Sequence, residues 1–75
     1  MLAIFTGYYL NSKKQIYGKS GYTNTLIEYD EIIYDDGRLT GYIVQNGKIM
    51  SKGEHTGYTI ITNDIFGPFR HLPWL

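Results

Sequence analysis

The sequence predicts an all-β fold, a small five- or six-stranded antiparallel barrel or curled meander with an irregular Pro/aromatic C-terminal segment. Three observations carry this. Alanine occurs once while nine glycines are spread along 75 residues, a composition that works against helix. The apolar residues are mostly β-branched or aromatic, which suits a pleated, half-buried surface. Two turn dipeptides, Asp36-Gly37 and Asn46-Gly47, sit between apolar runs, the pattern of tight hairpins whose central residues need φ > 0.

In chain order, a first strand is expected from Leu2 to about Leu10, followed by the polar linker Asn11 to Lys14. A short strand near Gln15 to Gly18 comes next, then the linker Lys19 to Gly21. The two hairpin turns define a three-stranded meander from about Ile27 to about Lys52. With two-residue turns, Tyr34 faces Leu39, Ile32 faces Gly41, Val44 faces Ile49 and Ile43 faces Met50, by period-2 counting. Ile32, Tyr34, Leu39, Ile43 and Met50 then share the expected core face. The linker Ser51 to His55 leads to a last strand, Thr56 to Thr62. So many short strands suggest closure, because curling removes exposed edges. Residues 1–64 are read as one β domain, and 65–75 as a segment packed on it or on a partner.

Seventy-five residues allow one core, and a chain of this size buries only about 60% of the surface its unfolded form exposes. Cysteine is absent, which excludes disulfides and thiolate-bound zinc as supports. Aromatic rings are the available substitute: eight Tyr, three Phe and one Trp, each able to bury roughly 150 to 250 Å². Seven basic and seven acidic side chains cancel, against a protein whose role is to coat nucleic acid, where clustered Lys and Arg drive binding. No apolar run approaches the roughly 20 residues of a spanning helix, and the start lacks the basic and long apolar parts of a signal peptide. A soluble, cytoplasmic chain is expected. Its small, Cys-free composition is of the kind found in phage or viral accessory proteins.

Ser/Thr-Gly-Tyr occurs at Thr6-Gly7-Tyr8, Ser20-Gly21-Tyr22, Thr40-Gly41-Tyr42 and Thr56-Gly57-Tyr58, with gaps of 14, 20 and 16 residues. That spacing is too irregular for a solenoid array. The Gly-Tyr and Asp-Gly or Asn-Gly rhythm from Tyr34 to Tyr58 resembles MORN-type hairpin repeats, without their regular period or tryptophan pattern, and no function is carried over from it. Each Gly is read as a strand bend covered by a neighbouring ring. The competing reading is a tyrosine-lined ligand surface.

No catalytic, cofactor or metal motif is present. Glu28 and Asp30 could divide acid and base roles only if their pKa values were pushed apart, and acids around a turn are more simply a solvated edge. His55 and His71 lack ligand spacing. Gly18-Lys19-Ser20-Gly21 contains Gly-Lys-Ser, but Lys13 stands where a phosphate-binding loop has its first Gly, and no helix follows.

Two surfaces remain. Lys13, Lys14 and Lys19 accompany Tyr17 and Tyr22 in a stretch without an acid from Met1 to Ile27, the ingredients of single-strand nucleic-acid binding. Acids gather instead between Glu28 and Asp36, a polarity suited to a charged protein partner or self-association. The tail from Ile65 to Leu75 holds two Pro, two Phe and the single Trp, too apolar for a disordered segment. It is expected either to close the barrel like a lid or to anchor a partner. The leading expectation is a non-enzymatic protein-binding module, an adaptor or inhibitor, with Tyr8, Tyr42, Tyr58, Phe69, Arg70 and Trp74 as contacts. The alternative is nucleic-acid binding through Lys13, Lys14, Tyr17, Lys19 and Tyr22.

Overall fold

The computed structural model describes residues 3–75 as eight antiparallel strands in a closed barrel, each hydrogen-bonded to its sequence neighbours and β1 to β8. The strands are β1 (Ile4–Leu10), β2 (Gln15–Gly18), β3 (Gly21–Glu28), β4 (Glu31–Tyr34), β5 (Leu39–Gln45), β6 (Lys48–Ser51), β7 (Glu54–Ile61) and β8 (Asp64–Gly67). The all-β barrel is as expected, but with eight strands instead of five or six. The extra strands come from hairpin turns without an Asn-Gly or Asp-Gly signature: Tyr29-Asp30 joins the Glu28↔Glu31 pair, and Thr62-Asn63 joins Ile61↔Asp64. Leu2, expected at the start of the first strand, lies outside the described residues.

Two strands form one unit, and four units close the ring. The repeated element is not Ser/Thr-Gly-Tyr but a threonine clasp, at Thr6, Thr23, Thr40 and Thr56. Each threonine hydroxyl donates to the carbonyl of an isoleucine on the preceding even strand: Ile65 (2.7 Å), Ile16 (2.7 Å), Ile32 (2.6 Å) and Ile49 (2.7 Å). The residue after each threonine, Gly7, Asn24, Gly41 or Gly57, has positive φ. A left-handed residue inside a strand marks a bulge, so the chain here places two inward residues, Thr and the residue two beyond, on either side of it. Ser20-Gly21-Tyr22 is therefore out of step, and Thr23-Asn24-Thr25 is the true second copy.

Inside, the side chains lie in layers. Ile16, Ile32, Ile49 and Ile65 are fully buried, one from each even strand. Below them Leu10, Ile27, Val44 and Ile60 pack on the same core. Eight strands enclose just enough width for side chains to fill, so this interior is a core and not a ligand cavity.

The upper layer pairs large with small residues. Rings fill the space where the facing strand has glycine: a Cβ on Gly18 would meet Tyr8, and one on Gly67 would meet Tyr58. In the second unit the order is reversed, with Thr25 opposite Tyr34. The tail occupies the room this leaves. Leu72 and Trp74 are 1% and 7% exposed within the core, Trp74 Nε1 donates to Thr25 Oγ1 (3.3 Å), and Tyr42 lies 5.2 Å from the indole. Tyr58 and Tyr34 hydroxyls donate to the carbonyls of His71 (2.7 Å) and Trp74 (3.1 Å).

Two sequence expectations are corrected here. The Asp36-Gly37 hairpin is a three-residue loop with Gly37 alone at positive φ, its N–H donating to the Tyr34 carbonyl (2.9 Å), a type I turn closed by a glycine bulge. Ile33 thus faces Leu39, and Ile32 faces Tyr42. Leu39, Ile43 and Met50 consequently leave the expected core face, and Leu39 is 63% exposed. Val44↔Ile49 and Ile43↔Met50 hold, around an Asn46-Gly47 turn with both residues at positive φ. The boundary after Asp64 also falls inside β8, since Ile65 is fully buried and strand pairing runs to Gly67. Pro68, which cannot donate to a ladder, ends it.

Candidate binding surface

A closed barrel with a filled interior offers only its outer wall and two ends for recognition. Along the wall, the outward residues fall into four cross-strand trios. They are Tyr9, Tyr17 and Tyr22; Leu26, Ile33 and Leu39; Ile43, Met50 and His55; and Thr59, Phe66 and Phe5. None of these twelve is buried, and all but His55 and Thr59 are apolar or aromatic. The exterior therefore carries an apolar belt where a sheet facing water usually alternates to polar.

The first trio is a tyrosine ladder. Tyr9 and Tyr17 are stacked with centroids 6.1 Å apart, and Tyr17 lies 5.3 Å from Tyr22. Burial, then the charge of Asp35, holds the Tyr22 phenol above its ordinary pKa; the Gln15 side chain offsets part of the rise. No hydrogen bond of ordinary geometry reaches that buried hydroxyl. The exposed Lys13 and Lys14 lie in the loop below the ladder and Lys19 in the turn above it. Asn11 shapes the lower loop by accepting from the Lys13 and Gln15 amides (3.0 and 2.9 Å).

At the upper end a recess of about 480 Å³ lies between the Gly18–Gly21 turn, Tyr8 and the tail, with Lys19 and Arg70 on its walls. At the lower end Leu10, Ile27, Val44 and Ile60 floor a recess of about 290 Å³. On its rim Tyr29 is 88% exposed with φ 58°.

The sequence-expected contacts divide sharply. Tyr58 and Trp74 are buried, and Tyr8 and Tyr42 are half-buried with rings in the barrel, so these four serve the core. Phe69 and Arg70 are exposed on the tail, where Phe69 stacks on His71 at 5.6 Å. Tyr17 and Tyr22 come together on one face, whereas Lys13 and Lys14 lie in the loop at its lower end and Lys19 in the turn at its upper end. The belt members Phe5, Tyr9, Leu39 and Ile43 were missed. Their signal was the 16- or 17-residue spacing of the threonine clasp, which fixes the inward set and hence the outward one.

Glu28 and Asp30 are exposed beside a turn. His55 Nε2 lies 3.1 Å from the Tyr58 carbonyl. Among the described residues no group of His, Asp and Glu is placed to hold a metal ion, and no helix is long and apolar enough to cross a membrane. No family model, curated protein or solved structure matches this chain.

Proposed function

We propose that this chain is a non-enzymatic binding module whose contact surface is the apolar belt, and whose partner is another protein. The belt itself carries the reading. Exposed apolar surface that exceeds scattered single residues marks interaction sites, and here the barrel has neither a free edge nor an open interior to offer instead. Aromatic residues also dominate the energetic centres of protein interfaces. The strands, four to eight residues long, fall short of the about 9–11 residues of a transmembrane strand, which favours a protein over a lipid environment for the belt.

The test places a photocrosslinking amino acid at Leu39 or Tyr9 in producing cells. A discrete protein adduct is expected, and affinity for that protein should fall at least about tenfold in Leu39→Ser/Ile43→Ser. Unchanged affinity in the belt variants would overturn the reading.

The tyrosine ladder favours a second reading. Stacked rings flanked by three lysines suit a single-stranded nucleic acid, with bases on rings and phosphates near amines. Anisotropy of labelled oligonucleotides should then rise on binding, weaken steeply with salt and respond to Tyr17→Ala. Asp64, paired with Tyr9 across β1 and β8, works against it.

A further inference from the structure

The four lower turns carry charges that alternate in sign around the barrel. Because odd strands run in one direction, the turns following β1, β3, β5 and β7 all lie at one end. The first carries Lys13 and Lys14, the second Glu28, Asp30 and Glu31, the third Lys48 and the fourth Asp64, all exposed. Each turn is locked to the next unit by one backbone bond. The carbonyls of Lys14, Asp30, Gly47 and Asn63 accept from Ile27, Val44, Ile60 and Leu10 at 2.7 to 2.9 Å. The charges are thus held in fixed quadrants. Among the described residues the one ion pair is Arg38 with Asp36, at the opposite end, so the lower charges have no ion-pair partner among those residues.

From this pattern we propose that the lower end is a self-association surface, and that two copies of this chain meet there end to end about a two-fold axis. Such an interface is self-complementary: residue i meets j, and j meets i. An axis placed between the first and second turns sets Lys13 and Lys14 against the partner's acidic second turn, twice over. The same operation sets the Lys48 turn against the partner's Asp64 turn. No other pairing of quadrants by a two-fold axis opposes every basic turn with an acidic one, except the equivalent axis between the first and fourth turns, which leaves the two larger charges unmatched in size.

The apolar recess supplies the remaining contact. Leu10, Ile27, Val44 and Ile60 face the same opening, and joining two ends removes both recesses from water. Tyr29 stands on the rim of the second turn, so its ring meets the partner's Lys13–Lys14 loop, where an aromatic face attracts an ammonium. The Tyr29 φ of 58° is shared by Lys14, Asn46 and Thr62 in the other three lower turns and belongs to the turn geometry, so it is the ring's place on the rim that favours this contact. The end face is small for a stable dimer, so association is weak and salt-sensitive. The belt stays uncovered, and the inference stands apart from the protein-binding reading.

Sedimentation velocity over a concentration series measures the wild-type chain first, with dimer expected at low salt and the dissociation constant rising at least about tenfold between about 50 mM and 500 mM NaCl. Two variants follow, Lys13→Glu/Lys14→Glu and Asp30→Lys/Glu31→Lys, each checked by thermal melt. Each should be monomeric alone, because like charges face each other, and the two mixed should form a one-to-one heterodimer. A wild-type chain that stays monomeric at low salt overturns the proposal, as does a dimer that the charge reversals leave intact or folded variants that fail to pair. If a reversal unfolds the chain, the wild-type salt series still decides.

Discussion

Trp74 of the tail occupies the place that a tyrosine ring takes in the other three units, with its Nε1 bonded to the Thr25 hydroxyl at 3.3 Å. Thr25 is the position equivalent to Tyr8, Tyr42 and Tyr58, so the tail restores by insertion what the second unit lacks. Trp74→Ala should cost about 3–5 kcal/mol, the range for truncating a buried aromatic. Thr25→Tyr should also destabilise, since the new ring meets both Trp74 and Tyr34. In a Tyr34→Gly background part of that loss should return. Chemical denaturation of the single and double variants measures the coupling.

The pairing of a ring with a facing glycine makes Gly18 and Gly67 sensitive positions. A Cβ at Gly18 would lie 2.5 Å from Tyr8 Cε1, and at Gly67 it would strike the Tyr58 ring. Gly18→Ala and Gly67→Ala should each cost about 1–3 kcal/mol through overpacking. Gly21→Ala has open space around it and tests strain alone, at φ 106°. Denaturant midpoints separate the two causes.

The β character and the Asn46-Gly47 hairpin were legible because composition and a tight-turn dipeptide act locally. The inward set was not, because the loop Asp35 to Gly37 has three residues and moves Leu39 one position from the place a two-residue turn would give it. Period-2 counting from Tyr34 to Leu39 therefore sent Leu39 and Ile43 inward. The repeat was hidden by its second copy, where Asn24 replaces glycine and Thr25 replaces tyrosine, while Ser20-Gly21-Tyr22 supplied a decoy three residues earlier. The contact of Tyr17 with Tyr22 was legible because the two lie on adjacent strands of one short hairpin. The tail's insertion beside Thr25 depends on a vacancy that only the assembled barrel defines.

Two phenol hydroxyls should respond oppositely to removal. Tyr58 donates to the His71 carbonyl at 2.7 Å, so Tyr58→Phe should destabilise by about 1 kcal/mol. The Tyr22 hydroxyl is buried without a partner, so Tyr22→Phe should be neutral or stabilising. Thermal melts of the two variants beside the wild type distinguish these outcomes, and destabilisation by Tyr22→Phe would mean that its hydroxyl is satisfied in solution.

Thr62 sits at φ 59° in the turn between β7 and β8, a conformation that is strained for a β-branched residue. Thr62→Gly should relieve it and raise stability by up to about 1 kcal/mol, the gain being trimmed by the extra unfolded-state freedom of glycine. Thr62→Asn tests the same strain with less entropy change, because asparagine tolerates the left-handed region. A fall in melting temperature for both would show that the Thr62 side chain contributes more than its backbone costs.

High pH should unfold the barrel through the tail. Burial, reinforced by Tyr42 nearby, raises the Tyr58 phenol above its ordinary value of 10.0, and Tyr22 is raised in the same direction. A phenol whose folded pKa exceeds its unfolded one binds more protons in the native state. Its contribution is therefore complete below about pH 10 and lost as pH climbs through the raised folded value. Ionised Tyr58 would also set a negative oxygen against the His71 carbonyl in place of a donor. Circular dichroism and tyrosinate absorbance followed together from pH 9 to pH 12 should show loss of fold coinciding with a late group of ionising tyrosines. In Tyr58→Phe the alkaline loss of stability should be shallower, although the variant starts less stable at neutral pH. An identical pH slope in the two proteins would remove Tyr58 as the group that links ionisation to unfolding.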